Sequence, residues 1–561
     1  MQQLYTTAGE TLSGTPWNTY PRPQMVRKDW LCLNGRWDFA CGGTKAPVTV
    51  PFCPESLLSG WGFKTDYGLK MIYSRKFTIP ESWRGMRILL HFGAVSREAA
   101  VMVNGKEAAA HGESYLPFSA DITDLVRDGE NELAVTAVND LSCRHPWGKQ
   151  KEKRGGMWYT PVSGIWQTVW LEPVPREYIR SLSIRTGRDF AEITAEGVDA
   201  GFVEMDGKQY PLSGGKARID LPDPVLWSPD SPHLYRFAVI SGDDRVESYF
   251  ALRTLSVERF GGKPRLCLNG KPFFFHGLLD PGYWSDGLNT PAEPAAYEQD
   301  ILAMKSLGFN TLRKHIKIEP EQFYYDCDRL GMIVFQDMVN CGKYHFLRDT
   351  VLPTAGLTRL DDRHMNRDSA ARCNFLTAME DTVRLLRNHP CICLWTIFNE
   401  GWGQFCADDA YRRLKELDDS RFVDSTSGWF TRHESDVESL HIYFKSLRVG
   451  KQDRPQFLSE FGGWSLKIPD HSFNLEKTYG YKKYEDRERF VRDLRSLYLE
   501  QVLPLIREGL CAAVYTQVSD VEDETNGLLT FDRKFSKITP EEFRDVSGQL
   551  VRAMNPGPAG P

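Results

Sequence analysis

The sequence predicts a multidomain protein in which a β-sandwich jelly roll and an Ig-like β-sandwich precede a (β/α)8 TIM barrel. The 561 residues far exceed one domain, so two to four domains are expected. About the first 255 residues contain short apolar runs separated by turn residues, whereas the later ones alternate apolar runs with helical segments. The chain is therefore expected to change from antiparallel to parallel sheet near Val257.

Composition excludes several classes of protein. Hydrophobic residues make up 41% and charged residues 26%, which is typical of a soluble globular chain. The net charge of −6 provides no basic field for nucleic acid, and neither an N-terminal signal nor an apolar run of membrane-spanning length is visible. The 12 cysteines form no CxxC pair and the chain has no N-x-[ST] sequon, so we expect no membrane and a cytoplasmic location.

The first two predicted domains are β-rich. Residues 1–173 contain strand-like runs such as RILLHFGAV and NELAVTAV, and Asn104-Gly105 in VMVNGKE is a strong hairpin signal. Closure as a sugar-binding-like jelly roll is expected. After the Pro-rich segment EPVPREY, residues 174–256 continue with short alternating strands whose total length suits an Ig-like sandwich.

The third predicted domain is a catalytic barrel over residues 257–555, with 556–561 as a disordered tail. Strand candidates alternate with helical segments, which indicates βα units, and their count reaches eight with VDST, LHIYF, QFLSEFG and CAAVYTQV. Few residues separate the fifth and sixth candidates, including TRHESDVES. We therefore expect the fifth helix to be missing or vestigial.

Two carboxylates stand at the ends of barrel strands, where the reacting groups of TIM barrels lie. Glu400 ends CICLWTIFNE in the fourth strand, and Glu460 ends QFLSE in the seventh. One such carboxylate alone is as readily explained by capping of the next helix. Two on opposite sides of a narrow mouth predict a pair about 5 Å apart, which suits retaining glycoside hydrolysis.

These residues carry a resemblance to a known family. RNHPCICLWTIFNEGWG (387–403) resembles the acid/base signature of glycoside hydrolase family 2, which includes β-galactosidases and β-glucuronidases, and RPQFLSEFGG (454–463) resembles its nucleophile signature. Further similar segments follow in the expected order, at 33–40, 163–172, 268–279 and 307–338. The resemblance implies the same three-domain architecture, with an irregular fifth helix.

The resemblance also implies roles for individual residues. Glu400 would be the general acid/base, Glu460 the nucleophile, Arg313 the cation that keeps the nucleophile ionised, and Asn399 the partner of the sugar 2-hydroxyl. His441 and Tyr443 lie two residues apart, so they point to one face, and we assign both to the pocket.

Further substrate-binding candidates follow the strands at the barrel mouth. They are Asp280, Trp284, His315 and Asp337, each of which is either a sugar partner or a loop anchor. Trp464, like Tyr283 and Trp402, is either a stacking platform or part of the core. The eighth strand continues as VYTQVSDVEDETNG, where many family members have tryptophan, so the resemblance leaves the pocket floor undefined.

The predicted function is an exo-acting retaining β-glycosidase that acts on a terminal β-linked sugar, most readily a β-galactoside. A β-uronidase (β-galacturonidase or β-glucuronidase) is the alternative. The Asn-x-Lys motif of the family's β-glucuronidases is absent, and Lys314, Lys317 and Arg372 are the candidate cations that would replace it. A non-catalytic carbohydrate-binding protein is the second alternative. Because no zinc, dinucleotide or P-loop motif occurs, no metal or cofactor is expected; homo-oligomerisation stays open.

Overall fold

The computed structural model describes residues 1–63, 65–357, 360–450 and 453–554, so the tail predicted over 556–561 lies outside the described residues. Two β-sandwich units are followed by a TIM barrel, as predicted. The predicted boundaries at 173 and 256 fall inside the strands Val169–Val174 and Leu255–Phe260. Across the described ranges, no helix is long and apolar enough to cross a membrane.

The first sandwich packs a four-stranded sheet against a six-stranded one around a core that includes Trp37, Tyr73 and Leu90. Asn104 and Gly105 both have left-handed φ values, 50° and 78°, which the tight turn between two strands requires. The predicted hairpin is thereby confirmed. The four-stranded sheet is ordered Leu31–Cys32, Val169–Val174, Arg87–Phe92, Phe118–Asp121; the six-stranded sheet is ordered Thr44–Val50, Gly35–Cys41, Lys70–Thr78, Glu130–Val138, Glu98–Val103, Lys106–His111; Val95–Ser96 pairs with Gly164–Ile165.

The second sandwich is a seven-stranded antiparallel arrangement that encloses its own core, with Ile193, Val203 and Val239 at the centre. Alternate residues along Phe190–Glu196 and Lys216–Asp220 are buried, which is the period-2 pattern seen in the sequence. The strand order is Ser181–Thr186, Phe190–Glu196, Lys216–Asp220, Lys208–Ser213, Ala200–Met205, Tyr235–Ser241, Asp244–Phe250. A small sheet of Leu255–Phe260, Lys263–Leu268 and Lys271–Pro272 leads into the barrel.

The barrel contains eight parallel strands. Seven are wholly buried because helices cover the outside and side chains fill the inside, whereas Glu438–Ile442 is only partly buried. In chain order the strands are Phe275–Asp280, Thr311–Lys314, Ile333–Asp337, Ile392–Asn399, Phe422–Ser427, Glu438–Ile442, Gln456–Gly462 and Leu510–Thr516. The helices outside them are Ala295–Ser306, Glu321–Leu330, Ser369–Leu386, Ala407–Leu417, Arg487–Ser496, Leu503–Glu508 and Pro540–Met554. Shorter elements are Thr7–Glu10, Leu347–Val351, Leu352–Thr354 and Leu497–Val502, the 3-10 turns Glu81–Trp83, Asp362–His364 and Pro469–His471, and the pair Ser465–Leu466 with Lys483–Tyr484.

The fifth and sixth barrel strands meet at a seam. As predicted, no helix lies between Phe422–Ser427 and Glu438–Ile442, and among the described residues no ladder joins these strands, although they pack against each other. Side chains bridge the seam instead. Ser427 Oγ lies 3.3 Å from Ser439 Oγ and 3.1 Å from His441 Nε2.

A buried ion cluster joins the two sandwiches. Glu172 accepts hydrogen bonds from Arg22, from Arg27 Nη1 at 3.2 Å and from Tyr20 at 2.7 Å, while Arg27 also pairs with Asp244 of the second sandwich at 2.9 Å. Burial alone would raise the pKa of the Glu172 carboxyl, but the charge of Arg22 and the hydrogen bond from His91 outweigh burial and lower it. The Glu172 carboxylate is therefore the shared counter-charge at this junction.

Replacing Glu172 with Gln should destabilise the folded chain by about 3–5 kcal/mol, because Arg22 and Arg27 would stay buried without their common carboxylate. The free energy of unfolding in denaturant, measured on the full chain, checks this. Glu177→Gln removes a carboxylate from an exposed position nearby and is the matched control. Since the folded-state pKa of Glu172 is lowered, its stabilisation is present above the unfolded value of about 4.3 and is lost as the pH falls, so a difference from the variant that persists at acid pH would contradict the assignment.

Candidate active site

Glu460 is a buried carboxylate near the end of the seventh barrel strand. Arg313 Nη1 donates to its Oε1 at 3.1 Å, and the Tyr443 hydroxyl donates to its Oε2. Burial alone would raise the pKa of this carboxyl, but the charges of His441 and Arg313 outweigh burial and lower the pKa to about 2. Glu460 is thus held as an ionised base with one oxygen against a cation.

Glu400 follows the fourth strand and faces Glu460 across the mouth. Its backbone is left-handed, with φ 52°, and its amide donates to the Ser427 carbonyl at 2.9 Å. His441 Nδ1 lies 2.9 Å from Glu400 Oε1. One oxygen of each carboxylate and a ring nitrogen of His441 lie within 4.8 Å of one another. The Glu400 side chain is 17% exposed against 5% for Glu460, so Glu400 is on the more open side of the pair.

Arg313 contacts several neighbouring barrel strands next to this pair of carboxylates. Its guanidinium is fully buried and donates to Asp337 Oδ1 at 2.9 Å, to the Ser459 carbonyl at 3.0 Å and to Asn399 Oδ1 at 2.8 Å. Because Arg313 engages the Asn399 oxygen, the orientation of that amide is fixed. Asn399 Nδ2 then has no hydrogen-bond partner among the described residues.

His315 contacts Asp337, the same carboxylate that Arg313 binds. His315 Nδ1 lies 2.9 Å from Asp337 Oδ2. Burial and the charge of Lys149 lower the pKa of His315 despite this carboxylate, so a neutral imidazole with Nδ1 as donor is favoured. Its Nε2 has no partner within the described part of the chain.

Aromatic rings from separate loops surround the carboxylates. Tyr481 stacks on Tyr443 with centroids 3.7 Å apart, and Trp429 lies 5.5 Å from His441. Trp158 of the first sandwich stacks on Trp402 at 5.4 Å. Tyr481, Trp429 and Trp158 gave no sequence signal, because they lie on long irregular loops without a recognisable period.

The loop after the eighth strand adds a buried polar group. Glu524 Oε2 accepts hydrogen bonds from Tyr159 at 2.5 Å and from Gln517 Nε2 at 3.2 Å. Gln517 stands where the resemblance had left the pocket floor undefined. This wall is therefore polar, and one of its members, Tyr159, comes from the first sandwich.

Three further predicted binding residues have their observed contacts within the protein. Asp280 binds Lys314 Nζ at 2.6 Å and the Gly282 amide at 2.9 Å, so it anchors its own loop. Trp284 is buried beneath the Arg533 guanidinium at 4.1 Å, and Trp464 packs against Lys482 at 4.6 Å. None has a hydrogen bond or ring contact with Glu400 or Glu460 among the described residues. These contacts fit the loop-anchor or core interpretation, and sugar binding by these three residues stays a prediction.

The donor set at the centre is also the one that would suit a metal ion. Glu400, His441 and Glu460 are the only group of three His, Cys, Asp or Glu in the described ranges whose ligand atoms lie within 4.8 Å. A cation there would occupy both carboxylates at once. The expectation that the chemistry needs no metal stays a prediction.

Family models match the first sandwich and a large part of the barrel. "Glycosyl hydrolases family 2, sugar binding domain" matches residues 62–175, and "Glycosyl hydrolases family 2, TIM barrel domain" matches residues 262–461. Together these matches cover more than half of the chain. Both of the facing carboxylates lie within the second match.

Relatives with different names match the chain. A β-galactosidase of Thermoanaerobacter pseudethanolicus is 25% identical over 83% of this chain, and a β-glucuronidase of Felis catus is 26% identical over 66%. The chain covers 63% and 61% of the lengths of these relatives. Among solved structures, a β-glucuronidase of an uncultured Clostridium species superposes with a TM-score of 0.73 at 18% identity, covering 95% of this chain and 100% of that one. A β-galacturonidase of Eisenbergiella tayi gives 0.68 at 20%, with 95% and 99% covered. At these identities the solved structures show the fold.

The turn after Glu400 depends on glycine. Gly403 has φ 69°, and a Cβ on it would lie 1.8 Å from the Cys341 carbonyl oxygen. Gly403→Ala should therefore cost more stability than the roughly 1 kcal/mol of an alanine in the left-handed conformation. The measurement is the thermal unfolding midpoint, which should fall. Gly356→Ala is the matched control, because Gly356 has φ 91° but open space around its Cβ position. Equal shifts for the two variants would contradict the role of the close approach.

Proposed function

Because the chain belongs to glycoside hydrolase family 2, we propose that it is an exo-acting retaining β-glycosidase that removes a terminal β-linked sugar through a covalent glycosyl-enzyme. The observation that carries the proposal is the approach of the two carboxylates, with oxygens of Glu400 and Glu460 within 4.8 Å. Retaining enzymes hold their carboxyl groups about 5–5.5 Å apart, whereas inverting enzymes leave roughly 6.5–9.5 Å for a water molecule.

In the first step Glu460 would attack the anomeric carbon. The glycosidic C–O bond breaks as Glu400 gives its proton to the leaving oxygen, and the sugar becomes an ester of Glu460. In the second step Glu400 accepts a proton from water, the hydroxide attacks the same carbon, and Glu460 leaves as carboxylate. The lowered pKa of Glu460 supports its role as nucleophile, since it is ionised before substrate binds.

The neighbours of the pair support the same assignment. His441 Nδ1 lies 2.9 Å from Glu400 Oε1 and would orient the acid. Asn399 Nδ2 is a buried donor whose partner oxygen is already engaged by Arg313, so it is suited to the sugar 2-hydroxyl, where a hydrogen bond strengthens in the transition state. The Tyr443–Tyr481 stack next to Glu460 provides an aromatic wall for the sugar.

The identity of the sugar is the finer part of the proposal. The relatives are named β-galactosidase and β-glucuronidase, so they support a β-glycoside without choosing between neutral and acidic sugars. Lys314 and Lys317, the candidate cations for the uronidase alternative, are buried and bind Glu319 at 2.9 and 2.8 Å. Arg372 is bound to backbone carbonyls, among them that of Asn366 at 2.8 Å. An acidic sugar would need another cation.

Replacing each carboxylate with alanine should separate their roles. Glu460→Ala should abolish turnover of every nitrophenyl glycoside, whereas Glu400→Ala should slow poor leaving groups about a hundredfold more than activated phenols, because only poor leaving groups need the proton. Azide should rescue Glu460→Ala with an inverted product and Glu400→Ala with a retained one. Swapped stereochemistry would reverse the assignment, and a wild-type chain that binds sugars without hydrolysing any would be a carbohydrate-binding protein.

The acidic limb in the pH dependence of kcat/KM should be set by protonation of Glu460. Burial alone would raise the pKa of Glu460, but the charges of His441 and Arg313 outweigh burial and lower it to about 2. Activity should therefore persist as the pH falls until Glu460 protonates or the protein unfolds. An acidic limb at the ordinary pKa of a glutamate, about 4.3, would contradict this role of Glu460.

A further inference from the structure

A loop of the first sandwich crosses the mouth of the barrel. It leaves the strand Glu130–Val138 and returns at Gly164–Ile165. Trp147 Nε1 donates to the Gly342 carbonyl at 3.1 Å, after the third barrel strand, and the Thr160 amide donates to Glu522 at 3.1 Å, after the eighth. The loop is therefore fixed to both sides of the mouth.

Lys149 lies on a rigid part of this loop. Gly148 before it has φ 70°, and a Cβ there would meet the Tyr115 hydroxyl at 2.7 Å. Gln150 after it donates to the same hydroxyl at 2.9 Å, and the Lys149 carbonyl accepts from the Tyr159 amide at 2.8 Å. The backbone of Lys149 is thus held on both sides, which determines where its side chain starts.

The ammonium of Lys149 lies between two rings of the candidate site. Nζ is 5.7 Å from the ring centroid of Trp402, two residues after Glu400, and 5.9 Å from that of Tyr159. The Tyr159 hydroxyl is hydrogen-bonded to Glu524. Burial raises the pKa of Glu524, and the charge of Lys149 opposes that rise. Both observations place this cation at the pocket.

Several other cations around the mouth already have a carboxylate partner, whereas Lys151 of the same loop has none among the described residues and lies over the Trp158 ring at 3.5 Å. Arg313 pairs with Asp337 and Glu460, Lys314 with Asp280 and Glu319, Lys317 with Glu319, Arg154 with Glu522, and Lys537 with Asp520. Within the described ranges, Lys149 Nζ has neither an ion pair nor a hydrogen bond. Its half-buried ammonium is therefore a charge at the pocket that the protein itself does not neutralise.

We propose that Lys149 is a specificity-determining residue whose ammonium pairs with an anionic group on the sugar, so that the site selects an acidic glycoside over its neutral counterpart. The inference rests on the proposed glycosidase function and replaces the β-galactoside expectation. A uronate carboxylate and a sulfate ester share the required chemistry. An ammonium recognises either as a point charge, without the bidentate geometry that arginine would impose.

The test compares kcat/KM for pairs of substrates that differ only in charge. The pairs are nitrophenyl β-galactoside with β-galacturonide and nitrophenyl β-glucoside with β-glucuronide, and nitrophenyl β-galactoside 6-sulfate is the sulfate probe. Wild-type protein should prefer one acidic member at least about tenfold, and Lys149→Met should remove most of that preference, chiefly through KM. Lys149→Arg should keep part of it. Lys153→Met, at an exposed position of the same loop, should leave it unchanged.

Ionic strength provides a second test of the charge interaction, and the possible outcomes separate this inference from the glycosidase proposal. Rising ionic strength should weaken the acidic preference of wild type but not the residual preference of Lys149→Met. A preference for neutral sugars, or an acidic preference that survives Lys149→Met, overturns the inference while leaving the glycosidase proposal intact. No turnover of any substrate overturns the glycosidase proposal itself.

A binding measurement decides the question if Lys149→Met does not fold. It compares wild type with Lys149→Arg and records how far free galacturonate, glucuronate or galactose 6-sulfate protects each against thermal unfolding, relative to galactose.

Discussion

The buried guanidinium of Arg313 is the interaction on which the site depends. One planar group holds Asp337, the Ser459 carbonyl, Glu460 and Asn399 at 2.8–3.1 Å. A charge this deeply buried is tolerated only because its donors are satisfied by carboxylates and carbonyls of neighbouring strands. The barrel brings those strands together, so the register of the second, third, fourth and seventh strands converges on a single side chain.

The architecture could be predicted from the sequence because apolar residues recur with a simple period in each domain. Alternating short runs in the two sandwiches, βα alternation in the barrel and the Asn104-Gly105 turn all reflect local steric preferences that tertiary contacts did not override. The short connection after the fifth strand could also be seen in the sequence, because too few residues were present for a helix. The seam itself, bridged by Ser427 and His441, had no such signal.

The predicted site residues that the structure brings together end barrel strands, whereas the neighbouring residues that were not predicted lie on loops. Glu400, Glu460 and Arg313 project from barrel strands or directly follow them, so strand position alone places them together. Asp280 also follows a strand, yet the neighbouring Lys314 binds it, and such competition between buried charges is invisible without distances. Tyr481 and Lys149 come from long connections whose course depends on contacts distant in sequence.

The crossing of the first sandwich's loop over the barrel mouth has a consequence for biosynthesis. The walls around the pocket come from opposite ends of the chain, with Trp158 near the start and Glu524 near the end. Domains emerge from the ribosome in order, so the sandwich is available as a template before the last barrel strand is made. A chain released early, or a barrel separated from its sandwich, would present the Glu400–Glu460 pair in an open trough without a pocket around it. The enclosed pocket therefore requires both the first sandwich and the loop after the last barrel strand.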